Sequence, residues 1–365
     1  MQIFKLRAQR KSRNQKSRRI LNLSFFLGII TPLVVISQIV STTAYSKSAE
    51  RSGPCDVVTL QHDNDEMGGT DRHYTGANRL ACVTSPPRFM RDLVPPIDEL
   101  DALTRTRAIF ALGLSAFTPD DISRSDLIED DQPYAGWLYV GLGLEREVVP
   151  KSDQPRYMDN VELQLGIVGP WSGAEHVQKF THDLTNATEP KGWGNQLDNE
   201  PGINLFYSRQ WTGAAETKFK PFDDSPDLFF DYTPEVGFAL GNIHIFGAAG
   251  ITFRLGTFQP DDHGPPTIRP SLPGSDYFPR QKGFSAYLFG GVEGRIVGRN
   301  IFLDGNTFQD DGPSVDKNTL VGEARVGVAL TYDRVRLTYT HVFRSQEFEN
   351  QPDQTYGSIA LSVAF

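Results

Sequence analysis

The feature that most constrains this chain is a period-two alternation of apolar and polar residues. It is clearest at the C-terminus, where Leu361, Val363 and Phe365 alternate with Ser362 and Ala364. Successive side chains of a strand point to opposite faces, so such a segment has one apolar face. Alternating segments of about ten residues are typical of a transmembrane β-barrel. A soluble β-sandwich also has alternating strands and is the alternative at this point.

Twelve segments show this pattern, and a closed bacterial barrel has an even number of strands. In lipid every backbone donor and acceptor must be paired within the protein, and only a closed sheet leaves no edge. The sequence therefore predicts an all-β fold, a twelve-stranded antiparallel transmembrane β-barrel. We expect the polar segments 213–227, 257–283 and 306–317 to lie outside the membrane, on the rim opposite a tight turn at Asp333 and Arg334. The predicted strands are 54–63, 73–83, 104–117, 134–148, 158–169, 201–212, 228–239, 243–256, 285–295, 318–331, 334–344 and 355–365.

The first 46 residues have the parts of a secretory signal. They hold eight Lys or Arg and no acidic residue, an apolar run from Ile20 to Val40, and small residues at Ala44 and Ser46. A basic start, an apolar middle and a small-residue exit mark export. We therefore predict a signal peptide at 1–46 and a barrel domain at 47–365, with an uncleaved anchor as the alternative.

Export changes the charge and the redox setting of the chain. The net charge of -9 becomes -17, with 28 basic against 45 acidic residues, and an acidic surface repels nucleic acid. Cys55 and Cys82 would enter an oxidising compartment. A hairpin centred between Gly68 and Gly69 would set them opposite each other, which predicts a cross-strand disulfide. Two unpaired buried thiols are the alternative.

Oxygen-bearing side chains gather around this first hairpin. Asn64 and Asp65 end the first predicted strand, and Thr75 begins the second. Calcium takes oxygen ligands in flexible geometry, so these residues are a candidate hard-cation site. A polar turn is the alternative, because Asp and Asn favour turns.

Residues 170–184 break the strand pattern and predict a short helix inserted near the rim. Ser172 followed by Glu175 is a capping-box pattern. Gln178 and His182 are four residues apart and share a helix face. An oriented imidazole can act as a general base near neutral pH, whereas an unoriented helical histidine is structural or solvated. We expect Trp171, Val177, Phe180 and Leu184 to make apolar contacts.

A set of ordered motifs makes the chain resemble the lipid A 3'-O-deacylase family of Gram-negative outer membranes. The motifs are Asn64-Asp65, Asp71-Arg72-x-Tyr74-Thr75, Phe117-Thr118-Pro119-x-Asp121-Ile122, Asp131-Gln132-Pro133-Tyr134-Ala135-Gly136-Trp137-Leu138-Tyr139, Gly166-Ile167-Val168-Gly169-Pro170, Glu175-x-x-Gln178-x-x-x-His182 and Gly192-Trp193-x-Asn195-Gln196-Leu197. Each motif alone is weak, whereas the ordered set is specific and spans residues 55–365.

The resemblance implies a twelve-stranded barrel in the outer membrane and a calcium-dependent esterase that removes the 3'-linked acyloxyacyl chain of lipid A. It implies site roles for Asn64, Asp65 and Thr75, and a catalytic role for His182. Two departures stand out. The family's site glutamate falls at Thr188, with Glu189 one place later as its candidate substitute, and the family's site lysine has no counterpart between Ser123 and Asp126.

The residue types agree with ester hydrolysis. We expect His182 to take a proton from water as general base, and Ca2+ on Asp65 and Thr75 to polarise the ester carbonyl. Asn64 or Gln178 would hydrogen-bond the oxyanion or orient the water, with Glu189 as the fourth catalytic candidate. We expect lipid A and outer membrane lipids as partners, no nucleic acid, and a monomer. An outer-membrane phospholipid acyl hydrolase and a non-catalytic porin or adhesin are the alternative functions.

Overall fold

The protein is an antiparallel β-barrel. The computed structural model describes residues 54–69, 72–92, 102–151, 154–221, 223, 227–257, 261–309 and 311–365, so the predicted signal peptide lies outside the described residues. Thirteen strands lie within these ranges. They are β1 (Val57–Asn64), β2 (His73–Thr84), β3 (Ala102–Thr118), β4 (Ala135–Pro150), β5 (Tyr157–Val168), β6 (Glu200–Gln210), β7 (Ala215–Phe219), β8 (Leu228–Gly241), β9 (His244–Gly256), β10 (Phe284–Asn300), β11 (Leu320–Tyr332), β12 (Val335–Arg344) and β13 (Gln354–Ala364).

Twelve of these strands close the barrel. Strand β1 pairs with both β2 and β13, and β6 pairs with both β5 and β8. Strand β7 pairs with the start of β8, before the part of β8 that pairs with β6. The prediction of a closed twelve-stranded antiparallel barrel is therefore confirmed, and β7 is a short addition within the segment that we predicted as a loop at 213–227.

Three short helices accompany the strands in the described ranges: α1 (Arg88–Arg91), α2 (Ala174–Thr185) and α3 (Ile301–Asp304). None of the described helices has the length and apolar character needed to cross a membrane. The predicted helix at 170–184 is confirmed as a 3-10 turn at Pro170–Ser172 followed by α2.

The predicted capping box at the start of α2 does not form. Gly173 is the N-cap residue, with φ +74°. The Ser172 hydroxyl accepts a hydrogen bond from Ala174 N at 3.3 Å, and Glu175 pairs instead with Lys179 at 2.6 Å. Ser172 also lies close to β4, where its Oγ would meet a Cβ placed on Gly136.

The two rims of the barrel differ in their loops. We call the rim where β1 ends and β2 begins the upper rim. The connections 119–134, 169–199, 301–319 and 345–353 share it. Segments 211–227 and 257–283 start at the lower rim, together with the turn at Asp333 and Arg334. The prediction that 213–227 and 257–283 lie opposite that turn was wrong, whereas the described residues of 306–317 do lie on the opposite rim.

Residues 262–278 of the long lower connection fold into the lumen. The Arg79 guanidinium of β2 donates to both carboxylate oxygens of Asp276, at 2.7 and 2.8 Å, and both side chains are buried. The Ser275 hydroxyl donates to Glu145 of β4 at 2.8 Å. We call 262–278 the luminal segment. It is polar because it pairs with the polar inner faces of strands on several sides of the barrel.

The disulfide prediction is confirmed, but its register was wrong by three residues. Cys55 and Cys82 are bonded, with Cα atoms 5.4 Å apart. In the hairpin Val57 pairs with Val83 and Val58 with Cys82, so Cys55 lies before β1 begins. The turn is therefore longer on its second side than we expected, because a short 3-10 turn at Glu66–Gly68 follows β1.

Candidate active site

A row of small residues crosses the outer wall of the barrel near the upper rim. Asn64 of β1 pairs with Gly76 of β2, Gly76 with Ala116 of β3, and Ala116 with Gly136 of β4. Paired residues on neighbouring strands point to the same face of a sheet. The face is the outer one, because Leu112, which lies four residues from Ala116 in β3, is exposed. The outer wall beside Asn64 therefore carries only Gly and Ala residues in this row, and we call this part of it shallow.

Helix α2 lies against this shallow part of the outer wall. A Cβ on Gly136 would fall 2.1 Å from Ser172 Oγ and 2.5 Å from Ala174 Cβ, so the start of the helix touches the backbone of β4. Ala174 also packs in one cluster with Leu114 and Ala116 of β3. The row of Gly and Ala residues thus makes room for a helix between the barrel and its surroundings.

The buried face of α2 is polar. Gln178, His182 and Thr185 are buried together with Ala174, at the spacing of one helix face. Trp171, Val177, Phe180 and Leu184, for which we expect apolar contacts, are exposed, so the barrel does not cover them. Packing against small wall residues leaves the polar side chains of α2 in the narrow space between helix and strands.

The His182 ring is held by a backbone carbonyl. Its Nδ1 lies 2.5 Å from the carbonyl oxygen of Thr188. A carbonyl oxygen only accepts hydrogen bonds, so Nδ1 carries the proton and Nε2 of the neutral ring is left as the acceptor. The helix ends at Thr185, and the left-handed backbone of the C-cap residue Asn186 turns the chain back toward the ring. This contact fixes the orientation of a ring that is buried on the wall-facing side of α2.

The Gln178 amide is held in a similar way. Its Oε1 accepts a hydrogen bond from the Trp193 indole nitrogen at 2.7 Å. Trp193 is buried and packs against Tyr134, with ring centroids 5.0 Å apart. Within the described residues, Gln178 Nε2 is buried and makes no hydrogen bond to protein. A buried donor of this kind calls for a ligand or water partner.

The tip of the first hairpin brings together the residues predicted around it. Asn64 Nδ2 donates to the Thr75 carbonyl at 3.4 Å, and Asp65 N donates to the same oxygen at 3.5 Å. Thr75 occupies a bulge between Tyr74 and Gly76, and its hydroxyl lies 2.7 Å from that of Thr118 at the end of β3. The fully buried Asp65 accepts a hydrogen bond from Arg72 N.

The connection 119–134 joins this tip to the helix side. The His73 ring lies 3.1 Å from Asp131 Oδ1, and Arg72 pairs with Asp120 at 3.0 Å. Farther along the connection, the Tyr134 ring packs against Trp193, which holds Gln178. The predicted residues of β1, β2 and α2 thus share the upper rim and the outer wall, linked through one loop.

The Asp131 carboxylate holds that loop in place by accepting hydrogen bonds. Burial would raise the pKa of Asp131, but hydrogen bonds from His73 and from the backbone of Asp120 and Gln132 outweigh it and hold the pKa below its ordinary value. The charged form is therefore the one that the loop binds.

The oxygen atoms around Asp65 are of the kinds that bind a hard cation. Asp65, Asn64, Thr75 and Thr118 offer carboxylate, amide and hydroxyl oxygens, and the Thr75 carbonyl adds one more. Calcium prefers such ligands. Asp65 is the carboxylate of this set, and the described residues contain no cluster of three His, Cys, Asp or Glu that would hold a metal ion. Backbone oxygens and water would have to complete the coordination.

Glu189 does not share the buried setting of the other predicted residues. It is exposed, one residue beyond the carbonyl that holds His182. Its catalytic role remains a prediction. Sequence reasoning gave no role to Thr118, Gly136 or Trp193. All three stand in the motifs quoted above, so their positions beside the candidate residues were the available signal.

Comparison with known proteins agrees with this architecture. A family model described as "Outer membrane protein LpxR" matches residues 31–365. The solved structure of LpxR from Salmonella typhimurium aligns with a TM-score of 0.64 and 22% identity, covering 85% of this chain and all (100%) of that one. The β domain of the Bordetella autotransporter BrkA aligns with a TM-score of 0.42 and 8% identity, over 85% of this chain and 98% of that one. No curated protein sequence matches the chain.

Proposed function

This chain belongs to the LpxR outer membrane protein family, and on that premise we propose that it is a lipid A deacylase that hydrolyses the 3'-linked acyloxyacyl ester in a calcium-dependent reaction. The observation that carries the proposal is the contact of His182 Nδ1 with the Thr188 carbonyl. In the neutral ring this contact makes Nε2 the nitrogen without a proton, on a helix that lies against the outer wall. A base in that position lies between the helix and the outer wall, beside the lipid that surrounds the barrel.

In the proposed reaction, His182 Nε2 takes a proton from water as the water oxygen attacks the ester carbonyl carbon. The C–O bond to the sugar-linked alcohol then breaks, and the imidazolium returns the proton to the leaving oxygen. The products are a free fatty acid and a lipid with a free hydroxyl. General base catalysis of this kind contributes ~10²–10⁴-fold to the rate.

Two amides are suited to the developing charge. The buried Nε2 of Gln178 has no protein partner among the described residues, and Trp193 fixes the other end of that amide. A donor held in place before the reaction stabilises an oxyanion, and its loss costs ~10²–10³-fold in kcat. Asn64 at the end of β1 is the second candidate, on the side of the wall next to Thr75.

Asp65 and Thr75 are the proposed calcium ligands. The ion, when bound, would polarise the ester carbonyl, which supplies several kcal/mol of charge stabilisation. The protein's own part is to fix these oxygens: Arg72 N holds the Asp65 carboxylate, and Thr118 holds the Thr75 hydroxyl. Chelation with EDTA, and Asp65→Asn in excess Ca2+, should each abolish acyl release while leaving the barrel folded.

A diffusion pore fits the structure less well. The luminal segment crosses the inside of the barrel, with the ion pair of Arg79 and Asp276 on one side and Ser271 on Glu323 of β11 on another. An acyl hydrolase for glycerophospholipid would share the barrel and the helix α2 against the outer wall, and is the second candidate function.

One experiment separates these functions. The chain is expressed in a Gram-negative host whose lipid A carries a 3' acyloxyacyl group, and both lipid A and phospholipids are analysed by mass spectrometry. We expect lipid A that has lost the 3' acyloxyacyl group and unchanged phospholipid. Lysophospholipid with intact lipid A would support the phospholipid hydrolase, and no change in either lipid would contradict both hydrolases.

A further inference from the structure

The exposed side of α2 divides into an apolar flank and a charged flank. At about 100° per residue, Val177, Phe180 and Leu184 lie roughly 100° to 160° to one side of the wall-facing Gln178. Lys179 and Asp183 lie roughly 100° to 140° to the other side. Phe180 is 65% exposed and Leu184 44%, and Trp171, just before the helix, is 76% exposed. We call Trp171, Val177, Phe180 and Leu184 the apolar flank.

We propose that the apolar flank is inserted among the acyl chains of the outer membrane, so that α2 is an interfacial helix that fixes the barrel at a set depth in the membrane. An amphipathic helix with aromatic and aliphatic residues on one side and charges on the other lies in the boundary between headgroups and acyl chains. The proposal rests on the outer membrane location of the chain and not on the proposed catalysis.

Continuity with the lipid-facing wall identifies the occupant. The wall residues one row below Ala116 and Gly136 are Leu114 and Leu138, and the next row has Leu112 and Val140, which are 51% and 48% exposed. Two rows along a strand span ~13 Å, and a helix with its side chains has a radius of ~5–6 Å. A helix docked at the upper row therefore reaches down to the first apolar row, and its apolar flank extends the same lipid-facing surface outward.

The charges of α2 agree with this orientation. Lys179 pairs with Glu175 at 2.6 Å along the flank away from the apolar residues. An interfacial helix keeps such charges among the lipid headgroups. A contiguous apolar patch of this kind on a protein surface marks a membrane or protein contact. The apolar rows of β3 and β4 directly beneath it favour the membrane.

Tryptophan fluorescence tests the proposal with the full-length chain in lipid vesicles. The chain has four tryptophans, of which Trp137 and Trp193 are buried and Trp211 is partly buried at the start of a lower-rim segment. These three are common to the wild type and Trp171→Phe, so the difference between the two proteins reports the exposed Trp171. Phosphatidylcholine brominated in the upper part of its acyl chains, and iodide in the water, are the two quenchers. We expect blue-shifted Trp171 emission, strong quenching by the brominated lipid and weak quenching by iodide.

Two further variants in the Trp171→Phe background compare the two flanks at neighbouring positions. Phe180→Trp should be quenched several-fold more by brominated lipid than Lys179→Trp, and Lys179→Trp should be quenched more by iodide. Heat-modifiable migration on gels confirms that each barrel is folded. Equal quenching of the two variants, or iodide quenching of Trp171 without lipid quenching, would overturn the proposal. Protection from both quenchers would mean that a protein covers the flank, and would overturn it as well.

Discussion

Adding one methyl group at Gly136 should displace α2 from the wall and lower activity without unfolding the barrel. The Cβ of Gly136→Ala would lie 2.1 Å from Ser172 Oγ and 2.5 Å from Ala174 Cβ. Ser172 can turn away, but the Ala174 Cβ is fixed to the helix backbone. Relief to an ordinary contact therefore requires the start of α2 to move by roughly 1 Å, at a cost of ~1–3 kcal/mol typical of overpacking.

A shift of that size matters because His182 and Gln178 lie on the same rigid helix. Misplacing a catalytic group by ~1 Å can cost ~10²-fold in rate. We therefore expect Gly136→Ala to reduce the initial rate of fatty acid release from purified lipid A by about 100-fold. Gly247→Ala is the matched control, since a Cβ on Gly247 of β9 meets nothing within 4 Å. It should retain wild-type activity.

The assay measures fatty acid release by both purified variants in detergent, beside their heat-modifiable migration on gels. A folded Gly136→Ala barrel with activity near that of Gly247→Ala would refute the reasoning that links the wall contact to the position of the base. An unfolded Gly136→Ala barrel would show instead that the contact supports the fold as a whole.

Three further predictions follow from single contacts. Replacing both Cys55 and Cys82 by Ser should lower the free energy of unfolding by ~2–4 kcal/mol, because the bond closes the loop that contains β1 and most of β2. The urea midpoint of unfolding measures this loss, and an unchanged midpoint would contradict the prediction. Asp131→Asn should speed hydrogen exchange at the backbone amides of Asp120 and Gln132, which donate hydrogen bonds to the Asp131 carboxylate. Since the pKa of Asp131 is lowered in the folded protein, its contribution is present above about pH 4 and is lost as the pH falls through the lowered value; exchange equal to wild type at neutral pH would count against this. Arg79→Met should leave the buried Asp276 without its cation and lower the free energy of unfolding by ~3–5 kcal/mol. The luminal segment should then be cleaved faster by added protease, and a segment as resistant to protease as in the wild type would contradict this prediction.

The sequence predicts the barrel well because the backbone geometry of a strand itself produces the alternation of apolar and polar residues. The side-chain period of a strand is two whatever its neighbours are, so alternation located twelve strands to within a few residues, the last of them at Gln354–Ala364. The helix at 174–185 was equally visible, since its polar face recurs at helical spacing. The disulfide was found despite a wrong register, because two cysteines on one hairpin have few other partners.

The features that the sequence did not predict depend on contacts between distant strands. The luminal segment has no periodicity, and it is buried because Arg79, Glu145 and Glu323 from different sides of the barrel pair with it. The shallow wall under α2 appears only when the registers of four strands set Gly76, Ala116 and Gly136 in one row.

The partner of His182 could not be predicted from residue types, because it is a backbone carbonyl. The resemblance implies a site glutamate at the position that Thr188 occupies here, with Glu189 as its candidate substitute, and names no partner for the ring. The carbonyl of Thr188 contacts the ring whatever side chain that residue carries. Orientation by the backbone would explain how a threonine is accepted at this position.

The most direct test of this account compares His182→Asn with the wild type, both purified and folded, acting on lipid A in the presence of Ca2+. Asparagine can still donate to the Thr188 carbonyl, but it has no basic nitrogen to take a proton from water. We predict a fall of ~10²–10⁴-fold in the initial rate of fatty acid release. A folded His182→Asn protein that releases fatty acid at a rate near that of the wild type would contradict the account.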